Sequence, residues 1–136
     1  MSIVTKRGDD GETDLLFGKR IGKAEDRVEA IGAVDELNAA LGLARVVGDR
    51  PELHELIERI QMKWIGLMGE LAVEPTDLEA YQARGLARLT EDDAAELEDI
   101  AAGIEAEVPP PSDWVRPGAA EDLAAAQLDV ARTVCR

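Results

Sequence analysis

The amino-acid sequence predicts an all-α fold: an antiparallel helical bundle with four helices in this chain of 136 residues. Two observations support the prediction. Apolar residues recur at three- and four-residue steps in four separate segments, which is the period of an amphipathic helix. Proline and glycine clusters divide these segments, and no stretch alternates apolar and polar residues strongly enough to predict a sheet. Helices of this length with short connections pack as an antiparallel bundle.

The first two helices have the clearest pattern. The first is predicted over residues 26–47, and the sequence GDRP at 48–51 ends it. The second follows at once and ends shortly before Pro75. Its apolar side consists of Leu53, Leu56, Ile57, Ile60, Trp64, Leu67, Met68 and Leu71.

The second half of the chain is more irregular. Residues 74–89 show no clear period and are predicted to form a loop. The sequence TEDD at 90–93 resembles a capping box with Asp in place of Glu, and it predicts the start of a third helix. The predicted buried residues of that helix are Leu97, Ile100 and Ile104. Three prolines at 109–111 end it, and an alanine-rich fourth helix is predicted from about Ala119 to the end.

Composition restricts the class of protein. The net charge is −14, from 15 basic and 29 acidic residues, which argues against nucleic-acid binding. No apolar run approaches the roughly 18 residues of a membrane span, and the N-terminus lacks the apolar region of a secretory signal. A single cysteine excludes an internal disulfide. We therefore expect one cytoplasmic domain over residues 1–136.

The N-terminal 27 residues differ in charge from the rest. They hold six bases and six acids, whereas residues 28–136 hold the other nine bases and 23 acids. An anionic ligand therefore meets the least repulsion at this end. The stretch TKRGDDGET at 5–13 lacks the spacing of a Walker phosphate loop or an EF-hand. Two interpretations remain: a plain surface turn, or a nest of backbone N–H groups that binds an anion with help from Lys6, Lys19 and Lys23.

Polar residues also fall on helix faces where partners are required. In the first helix Ile31, Asp35, Asn38 and Gly42 share one stripe that overlaps the apolar face. In the last helix Asp129, Arg132 and Arg136 line another stripe, and two arginines one turn apart suit carboxylate or phosphate oxygens. A structural salt bridge from Asp35 to an arginine and an anion site are both consistent with this spacing. Trp114 either caps the core or lines a flat apolar ligand site.

Five segments in order resemble the ATP:corrinoid adenosyltransferases of the propanediol-utilisation type. TKRGDDGET (5–13) resembles the family loop T-R-T-G-D-D-G-T-T, and RVEAIGAVDELN (27–38) resembles R-V-E-A-Y-G-T-V-D-E-L-N. IQMKWIGLMGELA (60–72) is similar to the second-helix pattern I-Q…L…L-G-x-E-L-A. WVRPG (114–118) resembles F-I-L-P-G, and ARTVCR (131–136) resembles the start of A-R-T-V-C-R-R-A-E-R. The matches span essentially the whole chain.

The resemblance implies a fold and an activity. The family is a five-helix bundle that assembles as a homotrimer with its active site between subunits. It transfers the 5′-deoxyadenosyl group of ATP to cob(I)alamin, which gives adenosylcobalamin and triphosphate. The resemblance therefore implies ATP with Mg²⁺ and cobalamin as substrate, no separate metal site on the protein, and a flavoprotein reductase as electron-donating partner.

The resemblance also implies roles for particular residues. Asp35, Arg132 and Arg136 form the catalytic group: Asp35 pairs with Arg132, and both arginines neutralise phosphate charge. The residues expected to bind ATP are Thr5, Lys6, Arg7, Gly8, Asp9, Asp10, Gly11, Thr13, Arg20, Lys23 and Asn38. Trp114 stands where the family has the phenylalanine that covers the lower face of the corrin, and Ile31 is the second expected corrinoid contact.

Two departures from the family pattern matter. Asp129 stands where the family often has histidine, and we expect it to compete with Asp35 for the arginines. The sequence stops at Arg136, where the family continues into a further helix. The alternative is therefore a non-catalytic ATP- or corrinoid-binding protein of the same fold. A plain helical bundle that binds neither ligand is the third reading.

Overall fold

The computed structural model of the chain describes residues 6–136, so Thr5 lies outside it. In this part of the chain a two-stranded antiparallel sheet precedes five α-helices. The strands are β1 (Glu12–Asp14) and β2 (Arg20–Gly22), and the helices are α1 (Asp26–Val47), α2 (Pro51–Leu71), α3 (Leu78–Ala83), α4 (Glu91–Glu107) and α5 (Leu123–Val134). Short 3₁₀ turns occupy Leu16–Gly18 and Pro75–Asp77. None of the helices within residues 6–136 has the length and apolar character needed to cross a membrane.

The predicted helical character is confirmed, with corrections. The first helix has the predicted bounds of residues 26–47. The predicted loop at 74–89 contains α3, so the described chain has five helices where four were predicted. The strands β1 and β2 contradict the expectation of no sheet. The last helix begins later than predicted, because the Asp122 carboxylate caps it by accepting a hydrogen bond from Ala125 N at 2.7 Å.

The helices α1, α2 and α5 form the packed part of the bundle. Arg45 and Glu58 lie 3.7 Å apart near the α1–α2 connection, and Arg27 donates to Leu71 O at 3.1 Å at the far end. The two helices are therefore antiparallel. The helix α5 packs along α1, and the C-cap of α1 lies beside the first turn of α5. The buried apolar residues are Leu15, Leu37, Ala44, Ile57, Val73, Tyr81 and Ala131.

The helix α4 is fixed mainly at its N-terminal half. The predicted capping box is confirmed: the Thr90 side chain accepts from Asp93 N, and the Asp93 carboxylate accepts from Thr90 N at 2.8 Å. Lys63 of α2 forms an ion pair with Asp93, and Arg59 of α2 lies 3.0 Å from Glu96. The predicted burial of this helix is wrong, since none of its residues is buried. The periodicity identified an apolar face, and α2 covers that face only in part. A cavity separates the two helices there, lined by Leu97 and Ile100 of α4 and by Leu56, Ile60 and Trp64 of α2.

The Asp93 carboxyl links the stability of this cap to pH. Hydrogen bonds from Lys63 and Thr90 lower the pKa of Asp93 from its ordinary 3.8 to about 2. A lowered folded-state pKa means that the stabilisation is present above about pH 4 and is lost as the pH falls toward 2. We expect the free energy of unfolding to decline less steeply in this window for Asp93→Asn than for the parent chain. Acid-dependent urea unfolding would measure both slopes. The exposed neighbour variant Asp92→Asn should keep the parent slope, and an unchanged slope in Asp93→Asn would contradict the linkage.

Candidate functional site

A short hairpin, with the loop that precedes it, carries most of the predicted ATP-binding residues. Its strands pair Glu12 with Gly22, Thr13 with Ile21 and Asp14 with Arg20. The Leu15 side chain is buried, and Leu16 N donates to Ala72 O at 2.9 Å, so the hairpin is attached to the C-terminal end of α2. Its turn contains Phe17 at φ 59°, and the Arg84 guanidinium lies 4.6 Å from the Phe17 ring centroid. Such a cation–π contact attaches the turn to the end of α3.

The loop before β1 folds around Lys23. The Lys23 ammonium donates to Gly8 O at 2.7 Å, and Lys23 N donates to Gly11 O at 2.8 Å. Gly11 has a φ of 84°, which side chains rarely tolerate, so this turn requires glycine. Two further turns close the loop, Asp9 N to Lys6 O and Gly11 N to Gly8 O, both at 3.3 Å. The predicted loop thus exists as a closed turn with a lysine ammonium at its centre.

One guanidinium organises the acidic side of the hairpin. Arg20 Nε lies 3.0 Å from Glu12 Oε2, and Nη1 lies 3.2 Å from Asp14 Oδ1. Its Nη2 lies 3.1 Å from Asp10 Oδ2 and donates to Arg7 O at 3.1 Å. The hydrogen bond to Glu12 and the charges of the neighbouring carboxylates raise the pKa of Arg20 above its usual value. Arg7 pairs with Asp14 at 3.0 Å, so the cluster joins both strands to the loop.

The predicted catalytic group is arranged differently from expectation. Arg132 Nε lies 3.3 Å from Asp129 Oδ1, and Asp35 is exposed and makes no ion pair within residues 6–136. The expected Asp35–Arg132 pair and the expected partial burial of Asp35 are therefore wrong for the described chain. The carboxylate that pairs with Arg132 is instead that of Asp129. This pair forms because Asp129 lies one turn from Arg132 on the same helix, where side chains three residues apart are neighbours.

The fold nevertheless brings the two halves of the predicted site toward one end of the bundle. A side-chain carbon at Gly48 would lie 3.5 Å from Ala124 Cβ, so α5 starts level with the end of α1 and runs antiparallel to it. With a rise of about 1.5 Å per residue in both helices, Arg136 comes roughly level with Asp35. The hairpin lies at the same end of the bundle, since Arg27 and Leu16 both bond to the last carbonyls of α2.

The other predicted residues occupy different environments. Asn38 is half-buried, and its Oδ1 is buried without a hydrogen-bond partner within residues 6–136. Its backbone oxygen accepts from Gln61 Nε2 at 3.1 Å. Ile31 is half-buried, and Trp114 is 82% exposed, so Trp114 does not cap the core. Arg136 is exposed at the end of α5. No three His, Cys, Asp or Glu side chains in the described chain are grouped to hold a metal ion.

Sequence reasoning missed the roles of Glu12 and Asp14 beside Arg20. A signal for them was present, because acids at positions 10, 12 and 14 share one face of an extended strand. The contact between Arg84 and Phe17 had no such signal, since it joins residues 67 positions apart in sequence.

Gly8→Ala is expected to weaken MgATP binding by about tenfold, which corresponds to the loss of roughly one charge-assisted hydrogen bond. A Cβ at residue 8 would lie 2.8 Å from Lys23 Nζ and 3.0 Å from its Cε, so it would displace the ammonium from the loop. The melting temperature should stay unchanged because a flexible side chain can move aside. Titration calorimetry and thermal unfolding would measure the two effects. Gly103→Ala, whose Cβ would meet nothing within 4 Å, is the matched control. An unchanged affinity of Gly8→Ala for MgATP would argue against a contact between Lys23 and the bound ATP.

A family model described as cobalamin adenosyltransferase matches residues 3–136. The chain belongs to the cobalamin adenosyltransferase family. This membership confirms the resemblance seen in the five ordered segments.

Individual relatives support the same assignment. The chain is 37% identical to the corrinoid adenosyltransferase PduO of Citrobacter freundii, over 100% of this chain and 39% of that protein. It is 38% identical to a second corrinoid adenosyltransferase of Citrobacter freundii, over 98% of this chain and 73% of that protein. The chain thus spans about two fifths of the length of the first relative and about three quarters of the second.

A solved structure extends the likeness to three dimensions. It is a variant of the PduO-type ATP:corrinoid adenosyltransferase from Lactobacillus reuteri complexed with cobalamin and ATP. The TM-score is 0.83 at 28% identity, over 98% of this chain and 71% of that one. The mostly helical fold with five helices is therefore the PduO-type fold.

Proposed function

We propose that this chain transfers the 5′-deoxyadenosyl group of ATP to the cobalt of cob(I)alamin. The observation that carries the proposal is the family match over residues 3–136, together with a related structure that holds cobalamin and ATP at once. The electron pair of Co(I) attacks C5′ of ATP, the Co–C bond forms as the C5′–O bond breaks, and triphosphate leaves. The protein supplies positioning and charge neutralisation for this displacement.

The hairpin and its loop are the proposed triphosphate site. The Lys23 ammonium would exchange the Gly8 carbonyl for a phosphate oxygen, which is a stronger, doubly charged hydrogen bond. Mg²⁺ would arrive with ATP, because this ion usually keeps phosphate oxygens and water among its ligands. The other proposed ATP contacts are Thr5, Lys6, Arg7, Gly8, Asp9, Asp10, Gly11, Thr13 and Asn38.

The proposed catalytic cations are Arg132 and Arg136. They would stabilise the charge that develops on the triphosphate as the C5′–O bond breaks. Arg132 must first leave Asp129, and an exposed pair of this kind is worth only about 0–1 kcal/mol, so a triphosphate can displace it. Asp35 is exposed, so an arginine of a neighbouring subunit can reach and pair with it.

The corrinoid side of the site is assigned to Trp114 and Ile31. An indole that is 82% exposed has a free apolar face, and it would cover the lower face of the corrin and keep water and an axial ligand from the cobalt. Removing that ligand makes reduction to Co(I) easier. A flavoprotein reductase is the proposed electron donor for this reduction.

A homotrimer is the proposed assembly. The accessible surface of the chain is 10,103 Å², whereas a compact monomer of 14.7 kDa exposes roughly 6,900 Å². Exposed apolar residues on several elements contribute to the excess, among them Val46, Met62, Ile104, Trp114 and Leu123. Surface of this amount and character supports burial against other subunits.

An anaerobic assay tests the proposal. The protein is mixed with MgATP and chemically reduced cob(I)alamin, and the absorbance of adenosylcobalamin is followed. Turnover supports the enzyme. MgATP binding without turnover favours the second candidate, a non-catalytic binding protein of the same fold, and binding of neither ligand leaves only a helical bundle.

A further inference from the structure

We infer that Arg20 is a positioning residue, which shapes the N-terminal loop to receive the triphosphate without touching phosphate itself. The inference rests on the proposed function, since it assigns a role within the same ATP site. It concerns the division of labour between two cations, Arg20 and Lys23, that lie three residues apart on and just after β2.

The hydrogen-bonding capacity of Arg20 is almost fully used. A guanidinium has five N–H donors in a fixed planar fork. Four of these donors are used within the hairpin and its loop: Nε bonds to Glu12 Oε2, Nη1 bonds to Asp14 Oδ1, and Nη2 bonds to Arg7 O and both carboxylate oxygens of Asp10, at 3.0–3.2 Å. One N–H of Nη1 remains, so Arg20 cannot grip a phosphate with two parallel hydrogen bonds, the contact for which a guanidinium is best suited.

Lys23 presents the opposite situation. Its ammonium has three donors, and its one side-chain hydrogen bond within residues 6–136 goes to a neutral carbonyl, Gly8 O at 2.7 Å. A phosphate oxygen competes easily with a neutral carbonyl and poorly with three carboxylates. Of the two cations, Lys23 is therefore the one that can turn to the triphosphate.

The charges explain why such a positioning residue is required. The side chains of Asp10, Glu12 and Asp14 are at least 42% exposed. Asp10 lies in the loop, and the other two lie on β1, the strand that follows it. Left uncompensated, three carboxylates would repel both a triphosphate and one another. Arg20 contacts all three, and its side chain is only 29% exposed, so its position is better fixed than theirs.

The network also transmits the fixed position of the bundle to the loop. A single exposed ion pair contributes little to stability, whereas a network of several oxygens around one guanidinium can contribute more. Arg20 contacts Arg7 O at one end of the loop and Asp14 at the end of β1. The strand next to it is attached to α2 through Leu15 and Leu16. Arg20 thus connects the loop to the anchored end of the hairpin.

A double-mutant cycle tests the inference. The four proteins are the parent, Arg20→Gln, Glu12→Gln/Asp14→Asn, and the combination of all three substitutions. We expect Arg20→Gln to weaken MgATP binding and to raise the KM for ATP about tenfold, with kcat within about twofold of the parent. The acid substitutions should restore binding to within about threefold when Arg20 is absent and should change it little when Arg20 is present.

A direct phosphate contact predicts another pattern and would overturn the inference. In that case Arg20→Gln lowers kcat as well as raising the KM for ATP. The acid substitutions then improve binding by the same factor whether or not Arg20 is present. Arg20→Lys keeps the charge but loses the fork, so it should behave like Arg20→Gln. Arg59→Gln, which removes another arginine that lies 3.0 Å from a glutamate, should leave MgATP binding unchanged.

The outcome separates this inference from the proposed function. If the parent protein binds MgATP but transfers no adenosyl group, the proposed transferase activity is wrong. The double-mutant cycle, measured as dissociation constants for MgATP, still decides the role of Arg20. A parent protein that binds no MgATP overturns both. Amide hydrogen exchange without ATP adds an independent measure: Lys23 N, bonded to Gly11 O, should exchange faster in Arg20→Gln, and equal protection would contradict the positioning role.

Discussion

Arg132→Ala is expected to lower the rate of adenosyl transfer by about 10²–10³-fold, the usual effect of removing one preorganised donor to developing charge. The same substitution should cost less than about 1 kcal/mol of stability, since Arg132 is ion-paired only to Asp129, and that pair is exposed. The rate comes from the anaerobic assay and the free energy from urea unfolding.

The matched control for Arg132→Ala is Arg59→Ala. Arg59 is also an exposed helical arginine in an ion pair, with Glu96 at 3.0 Å, but it lies on α2 facing α4. Its removal should leave transfer at the parent rate. If the two variants transfer equally well, Arg132 has no catalytic role. A loss of several kcal/mol in Arg132→Ala would instead reveal a buried partner in the assembly.

Ile57→Ala is expected to lower the free energy of unfolding by about 3 kcal/mol, within the range for emptying a buried aliphatic site. Ile57 is 2% exposed and is one of the two largest fully buried side chains in the described chain. The core of this bundle is small, so a cavity at Ile57 removes a large share of the free energy of unfolding. Urea unfolding with a constant m-value would report the change.

A control for Ile57→Ala lies two turns further along the same helix. Ile65 is 51% exposed, so Ile65→Ala makes the same chemical change without a cavity. We expect a loss below about 1 kcal/mol for it in the monomeric chain. Equal losses in the two variants would show that Ile65 is covered by another subunit, which would be direct support for an assembled state.

The helix bounds that were predicted correctly have local causes. The first helix ends where predicted because its apolar spacing stops at Gly48 and Pro51. The start of α4 was predictable because a capping box is a four-residue signal at 90–93. In both cases neighbouring residues contain the whole cause, and nothing distant is needed.

The elements that were missed depend on distant residues. Strands of three residues have too few positions to show a period, and β1 and β2 are held together by Arg20 across the hairpin. The helix α3 has only six residues, and its buried Tyr81 donates to Ala87 O at 2.6 Å in the following loop. A sequence pattern does not record such contacts.

Spacing and resemblance predict the loop, Lys23, Arg132 and Arg136 as site residues, and these roles stay predictions. The pairings among them were harder to predict. The partner of Arg132 was not predicted, because periodicity places Asp35 on a stripe without fixing what that stripe faces. The exposure of Leu97 and Ile104 on α4 has the same origin.

The attachment of the hairpin to the end of α2 sets an order of events during synthesis on the ribosome. Leu16 N and the Arg27 guanidinium both donate to carbonyls at residues 71–73, so the hairpin and its loop are not attached to the bundle until that stretch exists. At about 5–20 residues per second, residue 73 is added about 2–9 s after residue 27. The hairpin precedes α2 in the chain, yet it gains its fixed position only after that second long helix has been made.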